Sequence, residues 1–296
     1  MDKIIPKLLN SWEEFEVEVQ KNNIVTDELK KNIHKVGAVT PLIYRGQANA
    51  EWDLKSSLER KVNKDITVDS YFNIMLKVWN ESKYKRKWPN LEKEIQNLDI
   101  ESIYLFPTKE ANSFQIITFM AHLRHHGFPS PLLDWTSDPL IAAFFAFENI
   151  PDNSEKVTIY SFRYQTGHTS DAHIVSKPAL IEIGPDIPGI ERHKNQKSHY
   201  TLCIQQNDKS NFRAARFANP EEDINKPGFY IDKNGNDIDK NRVQNVVQKF
   251  VIPVSEKNKV LKKLQALNIN NCFLFEETED NRLYDFWNII LANEEI

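Results

Sequence analysis

Arg124-His125-His126-Gly127-Phe128-Pro129-Ser130-Pro131-Leu132-Leu133-Asp134-Trp135-Thr136 contains a helix end, a short strand and the approach to a second helix. Upstream of it, the spacing of Phe114, Ile117, Met120, Ala121 and Leu123 places apolar side chains on one face of a helix from Ser113 to His126. Gly127-Phe128-Pro129-Ser130-Pro131 stops that helix. Leu132-Leu133-Asp134-Trp135 then reads as a short strand. Pro139 suits the first turn of a helix from Leu140 to Glu148, and its run Phe144-Phe145-Ala146-Phe147 reads as core.

Working outward, residues 11–33 read as a helix, with Ser11 and Glu14 in capping-box spacing. Residues 37–44 favour a strand that ends near Arg45-Gly46, and Asp53 to Leu58 returns towards helix. Residues 69–106 read as two or so amphipathic helices broken near Pro89. The second half changes character. Strands are expected at Val157–Phe162, Ala179–Ile183, His199–Ile204 and Lys249–Ile252. Asn234-Gly235 signals a hairpin between Phe229–Ile231 and Asp237-Ile238. Ser255 is placed to cap a helix to about Leu267, and a last helix is expected from Asn281 to Ala292. No repeat, low-complexity tract or linker separates the helix-rich half (1–150) from the strand-rich half (151–296). The expectation is one α+β domain over 1–296, both halves sharing a core.

Composition narrows the functions. The chain has 296 residues, 40% hydrophobic and 27% charged, with a formal net charge of -4. That charge gives no global reason to expect nucleic-acid binding. Cys203 and Cys272 are the two cysteines, with no metal-ligand spacing around them, so no metal site is expected and two reduced core thiols are favoured over a disulfide. The N-terminus lacks an apolar leader and no run could span a membrane, which points to a cytoplasmic protein with no membrane partner. Asp232 to Asp237 resembles a calcium loop but has Asp237 where glycine is required and Val243 where glutamate is required. With 8 glycines and no glycine-rich phosphate loop or nucleophile elbow, common nucleotide and hydrolase motifs are excluded.

Polar chemistry remains at element ends. Arg45 can fork two hydrogen bonds to a phosphate or carboxylate, and Gly46 would let a ligand approach the backbone. The alternative for Arg45 is a structural tie to an acid such as Asp53 or Asp134. His125 and His126 either meet the carbonyls at a helix end or face a ligand. Asp134 or Thr136 either caps the next helix or presents polar groups to a cleft at its N-terminus. The basic stretch Lys83-Tyr84-Lys85-Arg86-Lys87-Trp88 suits a solvated helix face better than a nucleic-acid contact.

Together, Tyr44-Arg45-Gly46-Gln47, Trp52-Asp53-Leu54, the His125–Thr136 block, Pro139 and Ala142-Ala143-Phe144-Phe145-Ala146 resemble the FRG domain, a bacterial family named for an aromatic-Arg-Gly motif. Arg192 to Gln196 followed by Tyr200-Thr201-Leu202 fits a later segment of the same pattern. Arg124 stands where the family usually has Gln, and Pro131 where it usually has Arg. The family's layout is similar to the ADP-ribosyltransferase superfamily. That similarity implies a split β-sheet core flanked by helices, with a helical insertion after the first motif. It implies NAD as substrate, with Arg45, Thr136 and Gln196 as catalytic positions. Tyr44, Gly46, Gln47, His125, His126, Asp134 and Trp135 would bind the nucleotide. The implied activity is an NAD-dependent transferase or NAD-cleaving protein, a defence or toxin effector acting on a protein or nucleic-acid acceptor. The alternative is a non-catalytic nucleotide- or nucleic-acid-binding module.

Overall fold

A computed structural model describes residues 4–32, 37–62, 66–98, 114–163, 166–168, 179–184, 191–205, 211–212 and 246–274. The expected 229–238 hairpin and the helix from Asn281 lie outside these residues. Ten strands are described: β1 (Pro6–Leu8), β2 (Gly37–Val39), β3 (Ile43–Gln47), β4 (Leu133–Thr136), β5 (Lys156–Arg163), β6 (Thr166–His168), β7 (Ala179–Ile183), β8 (Ser198–Gln205), β9 (Asn211–Phe212) and β10 (Val246–Pro253). The large sheet runs β1-β10-β5-β3-β4-β8-β7, with β9 also on β8, while β2 and β6 pair separately. Only β1–β10 is parallel among these pairs. Strands from both halves of the chain therefore alternate in one mixed sheet flanked by helices, an α+β architecture.

The expected strand over 37–44 is two strands. Pro41 lacks an N–H and lies between them. β2 leaves for β6, and β3 begins afresh at Ile43 beside β5. The segment Asp53–Leu58 turns helical only at α2 (Ser57–Lys61), where Ser56 and Glu59 form a reciprocal capping box. Among the described residues of the stretch 69–106, where two or so helices were expected, lie three: α3 (Val68–Trp79), α4 (Ser82–Lys87) and α5 (Leu91–Gln96). Ser255 does not cap the following helix. It lies in a 3-10 turn, Val254–Glu256, that leads into α9 (Lys257–Ala266) without a side-chain cap.

Three apolar clusters hold the layers together. Helices α3 to α5 and α6 (Phe114–His125) pack with Tyr200, Leu202 and Ile204 of β8. The second cluster joins Trp12 and Phe15 of α1 (Trp12–Asn32), α7 (Pro139–Phe147), α9 and Tyr44. The third, on Ile43, Leu133, Trp135, Tyr160 and Phe162, covers the opposite sheet face. The second cluster explains Gly46. A Cβ there would sit 1.9 Å from the Ala142 carbonyl oxygen and 2.7 Å from the Ala146 backbone nitrogen. Gly46 thus lets α7 lie directly on β3 through its alanines.

The opening stretch is specified by local chemistry. Gly127 adopts φ +81, and its N–H and that of Phe128 donate to the carbonyls of Arg124 (3.2 Å) and Leu123 (3.0 Å). That is a Schellman cap, with Phe128 and Leu123 in the same apolar cluster. It halts α6 with Arg124 in the last turn and sends the chain through Pro129 to Pro131 into β4. At the other end of β4, Thr136 Oγ1 accepts from Asp138 N–H (3.1 Å) and Asp138 Oδ1 from Leu140 N–H (2.9 Å). Asp138 is therefore the cap of α7, the role offered to Asp134 or Thr136, and Pro139 opens the helix as expected.

Candidate functional site

β3 and β4 are neighbours at the middle of the sheet. β3 pairs with β5 along Ile43–Gln47 but meets β4 at one registered pair, Tyr44 opposite Thr136. Beside that pair the Arg45 side chain reaches Asp134. Its Nη1 donates to Asp134 O at 2.7 Å and lies 3.6 Å from Asp134 Oδ2. Arg124, from the capped end of α6, donates to the same Oδ2. The structural tie expected for Arg45 is thus present, with Asp134 as its acid.

Between these strand ends lies a cleft of about 920 Å³. Tyr44, Arg45, Gly46, Gln47, His125, Asp134, Trp135, Thr136 and Gln196 all line it. His126 is absent from that lining. It turns edge-on to His122, with ring centroids 4.4 Å apart. Several expected contacts are already committed within the protein. Tyr44 belongs to the core under α7, and burial pushes its hydroxyl up to about 12. The Trp135 indole donates to Thr201 Oγ1 at 2.9 Å. Thr136 Oγ1 holds the Asp138 amide, and Gln196 Nε2 donates to the Leu274 carbonyl at 3.0 Å. Gln196 is presented by a turn in which Lys197 adopts φ 46, next to Ser198 and Tyr200 in the cleft wall.

The electrostatics centre on arginine. Burial pulls the Arg45 guanidinium down to about 10, opposed by Asp134 and reinforced by Arg124 and Arg60, so it stays charged at neutral pH. Arg60 is lowered by burial and by Arg124. Burial pushes the Asp134 carboxyl up, but Arg124 and Arg45 outweigh it and hold the group below the usual carboxylate range. Arg45 Nε and Arg124 Nε are buried without a hydrogen-bond partner. Lys55 pairs with Asp53 at 3.1 Å. The lining then leaves Arg45, Arg60 and Arg124 facing the carboxylates of Asp134 and Glu51. An excess of forked cations with unmet donors suits phosphate or pyrophosphate.

Sequence reasoning missed Arg60, Trp52 and Phe145 as lining residues. Arg60 looked like any charge on an exposed helix, and Phe145 was expected in the core. Phe144 and Phe147 are buried as expected, but Phe145 is 36% exposed and lines the cleft. The basic stretch on α4 offers no free stacking platform. Tyr84 and Trp88 are buried, and Trp88 Nε1 donates to Thr118 Oγ1. Among the described residues no cluster of His, Cys, Asp or Glu is arranged to hold a metal, and no helix is long and apolar enough to cross a membrane. Cys203 is a buried thiol.

The fold and cleft define an α+β protein with an arginine-lined cleft beside β3 and β4. Residues 40–155 match the family model of the FRG domain. That match runs from just before β3 to the edge of β5 and contains both cleft motifs. No curated protein and no solved structure matches the chain.

Proposed function

We propose that the cleft binds a nucleotide and that the protein is an NAD-dependent ADP-ribosyltransferase-like or NAD-cleaving enzyme. The observation that carries this reading is the convergence of Arg45, Thr136 and Gln196 on one cleft where three guanidinium groups gather around Asp134. Its volume is of the size that encloses a small-molecule ligand. The arginines would neutralise a pyrophosphate and fix its position. Thr136 and Gln196 would line the part of the cleft that holds the ribose. Breaking the ribose–nicotinamide bond leaves positive charge on the sugar, which fixed polar groups stabilise. The short β3–β4 pairing, one registered pair beside the cleft, is the feature on which a comparison with ADP-ribosyltransferases rests. Such an activity suits a cytoplasmic bacterial defence or toxin effector with a protein or nucleic-acid acceptor.

A second reading has its own observation. The Gln196 amide is engaged by Leu274, and a Gln cannot act as a base. A non-catalytic nucleotide-binding module, with nucleic acid as a further candidate ligand, fits that arrangement. Incubation of the folded protein with labelled NAD and a cell lysate separates the two. Nicotinamide release or label transfer supports the enzyme. Neither signal, combined with thermal stabilisation by a nucleotide, refutes the enzyme and supports the module.

A further inference from the structure

The arginines account for one end of a ligand, and the same cleft carries features that address another. Trp52 is 49% exposed and Phe145 is 36% exposed, and both line the cleft with the guanidinium groups. Isolated exposed rings are ordinary on a protein surface. Two that line a cleft with three arginines give it apolar as well as cationic surface. Gln47 adds a polar group to the lining. It is only 6% exposed, and its Nε2 donates to the Asp53 carbonyl at 3.3 Å. This bond places the amide against the Trp52-Asp53 segment. Its Oε1 is buried with no hydrogen-bond partner. A buried acceptor without a donor is costly unless a ligand supplies one.

We propose that the cleft reads the base of its nucleotide as well as the phosphates: a planar ring with an exocyclic amine, adenine being the simplest, stacks on Trp52 and donates to Gln47 Oε1. The inference rests on the nucleotide reading and makes Trp52 a residue that sets ligand selectivity. Phosphate contacts belong to Arg45, Arg60 and Arg124, and are made equally by a ligand without a base. Base–aromatic stacking contributes enough that loss of the ring weakens binding by roughly five- to a hundredfold.

The test compares ADP with inorganic pyrophosphate by calorimetric titration of the whole chain, as wild type, Trp52→Ala and Trp52→Phe. Wild type should bind ADP more tightly than pyrophosphate. Trp52→Ala should erase most of that preference while pyrophosphate affinity holds, and Trp52→Phe should restore much of it. Thermal melts of both variants should match wild type, because Trp52 is half exposed. Three results overturn the proposal: wild type that does not bind ADP, wild type that binds pyrophosphate as tightly as ADP, or an unchanged preference in Trp52→Ala. NAD turnover does not enter these measurements. Absence of nicotinamide release sinks the enzyme and leaves the base-reading site, whereas an unchanged preference sinks the site whatever the turnover.

Discussion

Replacing Arg45 by Ala separates its structural role from its part in ligand binding. The Arg45 side chain is 13% exposed and makes a charge-assisted hydrogen bond of 2.7 Å to the Asp134 carbonyl. Losing such a bond costs about 1.5–3 kcal/mol. The ion-pair part adds little, because Asp134 Oδ2 keeps Arg124 and is 40% exposed. Against the loss stands relief: burial and the repulsion of Arg124 and Arg60 already disfavour the Arg45 charge. The net is a loss of about 1–2 kcal/mol, a few degrees in Tm for a chain of this size. Urea denaturation reads the stability, and titration of the same sample with ADP-ribose reads binding. The expected outcome is a folded variant with that modest loss and no measurable ADP-ribose affinity. Stability within about 0.5 kcal/mol of wild type would refute the claim that the Arg45 hydrogen bond to Asp134 contributes to the fold. Unaltered ADP-ribose affinity would make the residue purely structural.

Other perturbations follow from neighbouring contacts. Gly46→Ala forces a Cβ onto the backbone of α7, which cannot yield like a side-chain tip, so destabilisation of about 3 kcal/mol or more by urea denaturation is expected. Gly127→Ala meets open space but keeps φ +81, so a smaller loss of about 1 kcal/mol should appear in the same assay. Asp134 titrates lower in the folded chain than its unfolded value of about 3.9, so its contribution is complete above that pH and disappears as pH falls through the folded value. Asp134→Asn should flatten the acid limb of the stability curve below about pH 4. The His122 imidazole is pushed down to about 2 by burial, then by His126 and Lys87. Its unfolded value is about 6.5, so its contribution is full above that pH and declines as pH drops from there towards the folded value. His122→Phe should lessen the slope of stability against pH between about 6.5 and 4.

Much of the site was legible because its chemistry is local. Phe114 to Gly127 announces a helix and its stop through spacing and one glycine, and Pro139 announces the next helix start. Tyr44-Arg45-Gly46 and Asp134-Trp135-Thr136 lie far apart in sequence, and the Tyr44–Thr136 pair joins them in the sheet. The meaning of Gly46 was not legible, because its partner is the backbone of a helix almost a hundred residues on. Nor was the exposure of Phe145, since an apolar run on a helix does not reveal which member overhangs a cleft. Pro41 marked a break, but only pairing partners distant in sequence decide that β2 and β3 enter different sheets. Arg124 became a site residue through its ion pair with Asp134 and Arg60 by lining the same cleft, neither of which charge patterning along the chain encodes.

We propose that Arg45, Arg60 and Arg124 form the phosphate end of a nucleotide cleft beside β3 and β4. A crystal structure of the protein soaked with ADP-ribose tests it most directly. The account predicts the pyrophosphate within hydrogen-bonding distance of at least two of these guanidinium groups, with the ribose beside Thr136 and Gln196. A ligand bound elsewhere on the molecule, or one lying in the cleft with its phosphates turned away from the arginines, would contradict it.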